Sequence, residues 1–264
     1  MKRITLAVTA VCALALFVAA SAGAAGWSTS LSVTNQVASS PVRGAGYPDV
    51  NGVPVPGNCG PGMMNSNRSE SWIAVKPGTE DLVGASKFFF DKWSTFYNFS
   101  LGSYTIPAGK PSGNVQIPGY DCVTTGTQDM PPSWTNNTDP NVDFDTQGRA
   151  YQTTLPFNAY WTNLHPNGAI GAVYSDNLGK SWTVANGGKY LEYLNNQSSF
   201  AVGGYQDKQW VAVNHVATSP YRDHVYAMWS VFDGNSVKIH ESISRDRGQT
   251  FTAPTQISVR SQTG

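Results

Sequence analysis

Two stretches of the sequence share one pattern: SDNLGKSW at residues 175–182 and SRDRGQTF at residues 244–251. Both fit S-x-[DN]-x-G-x-x-[WF]. In such a turn the Asp or Asn oxygen can accept backbone N–H groups, glycine permits a positive φ, and the aromatic packs beneath the hairpin. The pattern therefore predicts one rigid hairpin that occurs twice. Its defining residues are Ser175, Asn177, Gly179 and Trp182 in the first copy, and Ser244, Asp246, Gly248 and Phe251 in the second.

Strand signals surround these turns and recur with the same period. Three apolar runs follow an acidic residue, Glu70, Asp139 or Asp207, and the two steps between these residues are nearly equal in length. Residues 25–264 contain no window with apolar residues at helical spacing over three turns. We therefore expect an all-β protein of repeated units that start near residues 70, 139 and 207. The predicted strands cover residues 72–75, 82–86, 142–145, 150–154, 170–174, 210–213, 225–229 and 238–243.

The two hairpin patterns resemble the Asp-box, or BNR repeat, of the sialidase superfamily. The second copy matches fully, and the first has Asn177 where Asp is usual. The resemblance covers about residues 69–254, although the first unit has no matching box and residues 102–105 only lie near the expected phase. It implies a sialidase-like β-propeller of four-stranded antiparallel blades, often six. It also implies that the boxes are structural and lie on outer turns, away from the central funnel.

Three repeat units are too few to close a propeller ring, which usually has four to eight blades. We therefore expect an incomplete ring, in which the chain is a fragment of a six-bladed propeller truncated at its C-terminal end. Two alternatives stay open: a small propeller closed by residues 27–55, or closure by oligomerisation. A full propeller would be expected to be a monomer.

Residues 1–24 have the features of a secretory signal peptide. Lys2 and Arg3 precede an almost wholly apolar run at residues 4–20, and small residues offer cleavage sites at 20–24. A single membrane anchor is the alternative. After cleavage no apolar run is long enough to span a bilayer, and 17 basic residues balance 17 acidic ones without a basic stripe. We expect a secreted protein with residues 25–264 as one domain and no nucleic-acid partner.

Two cysteines, Cys59 and Cys122, remain after cleavage. An exported pair favours a disulfide, although two free thiols are the alternative. No His or Cys spacing typical of a metal site occurs, so we expect no metal or other cofactor. A structural calcium ion is the alternative, although no residue pattern indicates one.

Candidate catalytic residues follow from the resemblance. It implies three arginines that clamp a sialic acid carboxylate, a tyrosine nucleophile activated by a glutamate, and an aspartate acid/base. The Arg-Ile-Pro phrase of the first arginine is absent, and Arg43 and Arg68 are the positions nearest to it in order. Asp143 shares a strand face with Asp145, and this face either points into the funnel or is simply a polar strand face.

Glu70, Asp139 and Asp207 are expected at equivalent blade ends around the mouth of the funnel. There they could bind a cation or supply an acid and a base, or they could instead cap turns. The aromatic-rich residues 88–99 could stack on sugars or pack between blades. Residues 104–134, rich in Pro and Gly, are predicted to be a long insertion loop.

The sequence therefore predicts a secreted propeller that acts on a glycan or glycoconjugate, as an exo-sialidase-like glycoside hydrolase. The alternative is a non-catalytic propeller that binds carbohydrate or a protein partner, including an assembly factor. The missing Arg-Ile-Pro phrase is the feature that separates these functions.

Overall fold

A computed structural model describes residues 35–38, 68–89, 99–118, 136–158, 167–194, 205–233, 236–259 and 262–263. All of its strands lie within one compact unit, Gln36–Gly264. The described residues form fifteen strands and two short 3-10 turns, without an α-helix. No helix in this part of the chain is long and apolar enough to cross a membrane.

The strands form three consecutive antiparallel blades. Blade 1 contains β1 (Arg68–Val75), β2 (Leu82–Phe89), β3 (Phe99–Ile106) and β4 (Gly113–Gln116), in that order. Blade 2 contains β5 (Asn136–Thr138), β6 (Asp143–Phe144), β7 (Ala150–Asn158), β8 (Asn167–Ser175), β9 (Thr183–Val184) and β10 (Glu192–Leu194). In this blade β5 and β6 both pair with β7, β7 pairs with β8, and β8 pairs with β9 and β10. Blade 3 contains β11 (Tyr205–Val213), β12 (Val225–Asp233) and β13 (Ser236–Ser244), with β14 (Thr255–Gln256) and β15 (Gln262–Thr263) both pairing with β13.

The predicted fold class, an all-β propeller of four-stranded antiparallel blades, is confirmed, and every predicted strand run overlaps an observed strand. The predicted insertion loop is wrong where the structure describes it. Residues 104–106 complete β3, and Gly113–Gln116 forms β4. Tyr104, Ile106 and Ile117 are buried, so their burial outweighs the turn-forming Pro and Gly residues beside them.

Each innermost strand is interrupted at one repeated position. Glu70, Asp139 and Lys208 are equally spaced in the sequence, and they have φ values of 53°, 59° and 52°. The register with the neighbouring strand shifts here in blades 1 and 3, and in blade 2 the same position lies between β5 and β6. A left-handed backbone costs a residue other than glycine about 1–2 kcal/mol. Its recurrence in three blades therefore marks a repeated bulge that redirects the strand.

Neighbouring blades pack through apolar side chains that include the aromatic residue of each hairpin turn. Trp182 packs with Val83 of blade 1 and Phe144 of blade 2. Phe251 packs with Tyr151 of blade 2 and Val211 of blade 3. Fully burying a large apolar side chain contributes about 1.5–3 kcal/mol, so each turn helps to fasten its own blade to the preceding one.

Candidate functional site

The innermost strands of the three blades meet at one cavity of about 220 Å³, which we call the mouth. It lies at the repeated bulge, so each blade contributes residues from the same phase of the repeat. The described residues that line the mouth are Glu70, Ser71, Trp72, Asp139, Pro140, Lys208, Gln209 and Trp210.

The structure brings two of the three predicted mouth carboxylates to this lining, Glu70 and Asp139. The third blade has Lys208 at the equivalent position, and Asp207 directly precedes it. The three acidic residues were predicted at equivalent positions of the three blades. In blade 3 the equivalent position is occupied by Lys208, one residue after Asp207. The sequence contains one sign of this shift, because the spacing from Asp139 to Asp207 is one residue shorter than the spacing from Glu70 to Asp139.

The charges at the mouth are unequally paired. Nζ of Lys87 lies 2.9 Å from Oε2 of Glu70, and Nζ of Lys208 lies 3.1 Å from Oδ2 of Asp139. Asp207 has no ion-pair partner among the described residues, although its Oδ1 accepts the backbone N–H of Lys208 at 2.9 Å. Burial raises the pKa of Asp207, and its contact with the Asp139 carboxylate raises it further. Two carboxyl groups in contact therefore lie at the edge of the mouth.

Two tryptophans form the apolar part of the mouth. The ring centroids of Trp72 and Trp210 are 4.5 Å apart, and the rings meet edge to face at 79°. Nε1 of Trp72 donates to the carbonyl of Val142 at 3.0 Å, which holds that ring in place. The two side chains are nevertheless 44% and 40% exposed. A cavity with exposed aromatic rings and a few fixed polar groups has the composition of a small-molecule site.

One buried acceptor at the mouth lacks a hydrogen-bond donor among the described residues. Gln209 is 1% exposed, and its Nε2 donates to the carbonyls of Thr138 at 2.7 Å and Asp139 at 2.8 Å. Among the described residues, none donates a hydrogen bond to its Oε1, whereas Oδ2 of Asp139 faces the ammonium group of Lys208 at 3.1 Å. An unsatisfied buried polar atom costs about 1–3 kcal/mol. A bound molecule that donates hydrogen bonds would remove this cost.

Asp143 is not among the described residues that line the mouth. Its Oδ1 accepts the backbone N–H of Phe144, and its Oδ2 accepts that of Val213, both at 2.8 Å. Burial raises the pKa of Asp143, and these two hydrogen bonds oppose that rise. The carboxylate joins β6 of blade 2 to β11 of blade 3, which favours a structural role over the catalytic one.

The predicted arginine clamp is largely outside the described residues. Arg68 begins β1, where its backbone pairs with Phe88, and the position of its side chain is not described. Arg43 and the Cys59–Cys122 pair lie outside the described residues. No described arginine side chain lines the mouth. The described part of the chain also has no group of three or more His, Cys, Asp or Glu residues that could hold a metal ion.

The hairpins at residues 175–182 and 244–251, here called the Ser175 turn and the Ser244 turn, share one hydrogen-bond pattern. In each, the serine hydroxyl accepts the N–H of the glycine, at 2.9 and 2.8 Å. The hydroxyl donates to Oδ1 of Asn177 at 2.9 Å, or of Asp246 at 2.8 Å. That oxygen also accepts the N–H of Ser181 at 3.0 Å, or of Thr250 at 2.9 Å. These residues hold the turns, as their sequences predict.

The Ser244 turn is also bound to blade 2 by a buried charge. Nε of Arg247 donates to Oδ2 of Asp145 at 2.7 Å, and Asp145 is 0% exposed. The same carboxylate accepts the hydroxyl of Tyr151 at 2.8 Å and two backbone N–H groups of its own turn. Because Asp145 and Arg247 are distant in the sequence and lie in different blades, no local pattern could have predicted this ion pair.

The chain is similar in structure to parts of larger proteins that act on glycans. The Hadza microbial sialidase Hz136 has a TM-score of 0.45 at 13% identity, over 75% of this chain and 34% of that protein. Trypanosoma rangeli sialidase has a TM-score of 0.39 at 12% identity, over 70% and 30%. The endo-arabinase of Bacteroides thetaiotaomicron has a TM-score of 0.37 at 11% identity, over 68% and 58%. This chain thus spans about a third of the length of these two sialidases.

No protein-family model matches the chain, and no curated protein matches it. At the identities and TM-scores above, structural similarity assigns no activity to the chain. What the mouth binds must be inferred from its own residues.

Proposed function

We propose that this protein is an exported glycan-binding propeller of the sialidase superfamily and that the mouth is its sugar site. The carrying observation is the pair of exposed indole rings, Trp72 and Trp210, in the same lining as Gln209, whose buried Oε1 accepts no hydrogen bond from a described residue. A pyranose ring has an apolar C–H face that packs on an aromatic ring and a rim of hydroxyl groups. Oε1 of Gln209 would accept a hydrogen bond from such a hydroxyl.

The second candidate function is glycoside hydrolysis, favoured by the contact between Asp139 and Asp207. A hydrolase needs one carboxylic acid to protonate the leaving oxygen and a second carboxylate as base or nucleophile. The raised pKa of Asp207 suits the acid, and Glu70, which lines the mouth, would be the second carboxylate. An exo-sialidase would in addition need Arg68 or Arg43 to hold the substrate carboxylate.

Binding is tested with the purified protein on a glycan array, followed by calorimetric titration of the best ligand. Trp210→Ala is expected to weaken binding at least about tenfold, because it removes one wall of the mouth. Tyr221→Ala is the matched control, since Tyr221 is 56% exposed and lies on the turn between β11 and β12, away from the mouth. Equal binding by both variants and the unmodified protein would place the sugar site elsewhere.

Hydrolysis is tested with fluorogenic sialosides and a panel of neutral glycosides. If the mouth is catalytic, Asp207→Asn is expected to abolish turnover while leaving binding measurable. Loss of sialoside turnover alone in Arg68→Ala would support the exo-sialidase form. Binding without any turnover would establish the non-catalytic propeller.

Export is a further part of the proposal, and it rests on residues 1–24. Secretion with cleavage after this segment, and a Cys59–Cys122 disulfide, are checked by intact mass and by peptide mapping without reduction. A cell-associated protein that retains residues 1–24 would contradict the export signal.

A further inference from the structure

We propose that the mouth selects a glycan unit that carries a protonated amino group, such as an unsubstituted hexosamine. This inference rests on the proposed function, because it names the class of sugar for the same mouth. The carrying juxtaposition is Asp207, which has no ion-pair partner among the described residues, against the Asp139 carboxylate and the buried Oε1 of Gln209, which accepts no hydrogen bond from a described residue.

Among the described side chains around the mouth, carboxyl groups outnumber cations by one. Glu70, Asp139 and Asp207 supply three carboxyl groups, whereas Lys87 and Lys208 supply two ammonium groups. Each lysine pairs with a different carboxylate, and neither forms an ion pair with Asp207. Carboxylates in contact repel each other unless they share a proton or a cation. A ligand ammonium group would supply that missing positive charge.

The geometry shows that an ammonium group fits this position. Nζ of Lys208 already lies 3.1 Å from Oδ2 of Asp139, yet the Lys208 side chain is 67% exposed. The Asp139 side chain is only 10% exposed, so a ligand ammonium group that displaced Lys208 would have to take over the pairing of this buried carboxylate. An ammonium group has three N–H donors, which suits Oε1 of Gln209 and the Asp139 oxygen that Lys208 occupies.

The tryptophans favour the same ligand. A cation within about 6 Å of an indole face is attracted by the ring, and Trp72 and Trp210 expose their rings at the mouth. An N-acetyl group would remove both the charge and two donors. A sialic acid carboxylate would face three carboxyl groups. The mouth is therefore expected to rank free amines first and anionic sugars last.

The test compares four oligosaccharides by calorimetric titration of the full chain at about pH 6, where a sugar amine is protonated. The probes are glucosamine hexamer, N-acetylglucosamine hexamer, cellohexaose and sialyllactose. The glucosamine hexamer is expected to bind at least about tenfold more tightly than either of the other two hexamers. Sialyllactose is expected to bind most weakly.

Two charge-removing variants test whether the preference comes from the mouth. Asp207→Asn is expected to remove most of the preference for the free amine and to leave binding of the N-acetylated hexamer in place. Glu80→Gln removes the same charge from an exposed turn between β1 and β2. It is expected to keep the full preference, because the mouth is unchanged.

The outcomes separate this inference from the proposed function. Equal affinities for the glucosamine and N-acetylglucosamine hexamers would overturn amine selection while leaving glycan binding intact. Tightest binding of sialyllactose would also overturn it. An equal loss of preference in Glu80→Gln would show a general charge effect instead of a site. Failure of every glycan to bind would overturn both proposals.

Discussion

The Ser175 turn and the Ser244 turn have the same internal geometry but fasten their blades by different chemistry. Their hydrogen bonds agree within about 0.2 Å, and both place two consecutive residues at positive φ. At the residue before the glycine, the first turn has Leu178, which packs into an apolar cluster with blade 1. The second has Arg247, which pairs with the buried Asp145 of blade 2.

The difference separates two kinds of information in the repeat. The residues that define the pattern specify the turn itself, whereas the variable residue before the glycine specifies the interface with the preceding blade. An apolar contact tolerates partial loss, because the remaining side chains still exclude water. A buried ion pair does not, because removing one partner leaves a charge or several donors unsatisfied.

The largest expected effect comes from breaking the ionic interface. Asp145→Ala is expected to lower the free energy of unfolding by about 3–5 kcal/mol, because Arg247, Tyr151 and two backbone N–H groups lose their acceptor. Leu178→Ala is the matched truncation at the other interface. It is expected to lower the free energy of unfolding by at most about 2 kcal/mol, since Leu178 is only partly buried. Urea denaturation measures both, and equal losses would contradict the contrast between the interfaces.

A smaller effect tests how closely each turn approaches the preceding blade. Gly179 and Gly248 both have a positive φ, at 75° and 84°. A Cβ on Gly179 would lie 2.7 Å from Oγ of Ser103, whereas on Gly248 the nearest atom is Cε1 of Tyr151 at 3.3 Å. Gly248→Ala is expected to lower the free energy of unfolding by about 1–2 kcal/mol from backbone strain alone. Gly179→Ala is expected to lower it further, because its Cβ would also collide with Ser103. Thermal unfolding that ranks Gly248→Ala as the more harmful would contradict the closer approach of the Ser175 turn.

The smallest effect is a pH dependence at the third position of the pattern, which is the ionisable Asp246 in the Ser244 turn and the non-ionisable Asn177 in the Ser175 turn. Burial alone would raise the pKa of Asp246, but hydrogen bonds from Thr250 and Ser244 outweigh it and lower the pKa. A carboxylate whose pKa is lower in the folded state than in the unfolded state stabilises the protein at pH values above the unfolded-state pKa of about 3.9. This stabilisation is lost as the pH falls through the folded-state pKa. Because the side chain is exposed, the contribution is expected to be below about 1 kcal/mol.

Asp246→Asn is therefore expected to be slightly less stable than the unmodified protein at pH 7, and this deficit is expected to shrink as the pH falls below about 3.9. Asn177→Asp provides the reciprocal test, since it should gain a small, acid-sensitive stability in the Ser175 turn. Urea midpoints across this pH range measure both. A deficit in Asp246→Asn that persists in acid would contradict an ionic contribution.

Much of the fold was predictable because its signals are local and repeated. The strands after Glu70 and around Trp210 follow from short apolar runs, and the Ser175 and Ser244 turns follow from four residue types at fixed spacing. β3 and β4 were missed because turn-forming residues surround them, and only burial of Leu101 and Ile117 against blade 2 explains why they form.

The candidate site was predictable in outline only. The repeated acidic residues located the mouth, but strand register determines which residue lies at each bulge. In blade 3 that residue is Lys208 and not Asp207. Trp72 and Trp210 belong to different blades and are distant in the sequence, so their convergence is a consequence of blade packing. No local pattern carries that information.

The central claim, that repeated positions of the innermost strands converge on one sugar-binding mouth, is tested most directly by the indole N–H signals of the tryptophans. In a glycan titration followed by nitrogen-15 NMR, the signals of Trp72 and Trp210 are expected to shift together with one dissociation constant. The signal of Trp229, which is 1% exposed and donates to Glu192, is expected to stay in place. Binding that leaves Trp72 and Trp210 unmoved would contradict the claim.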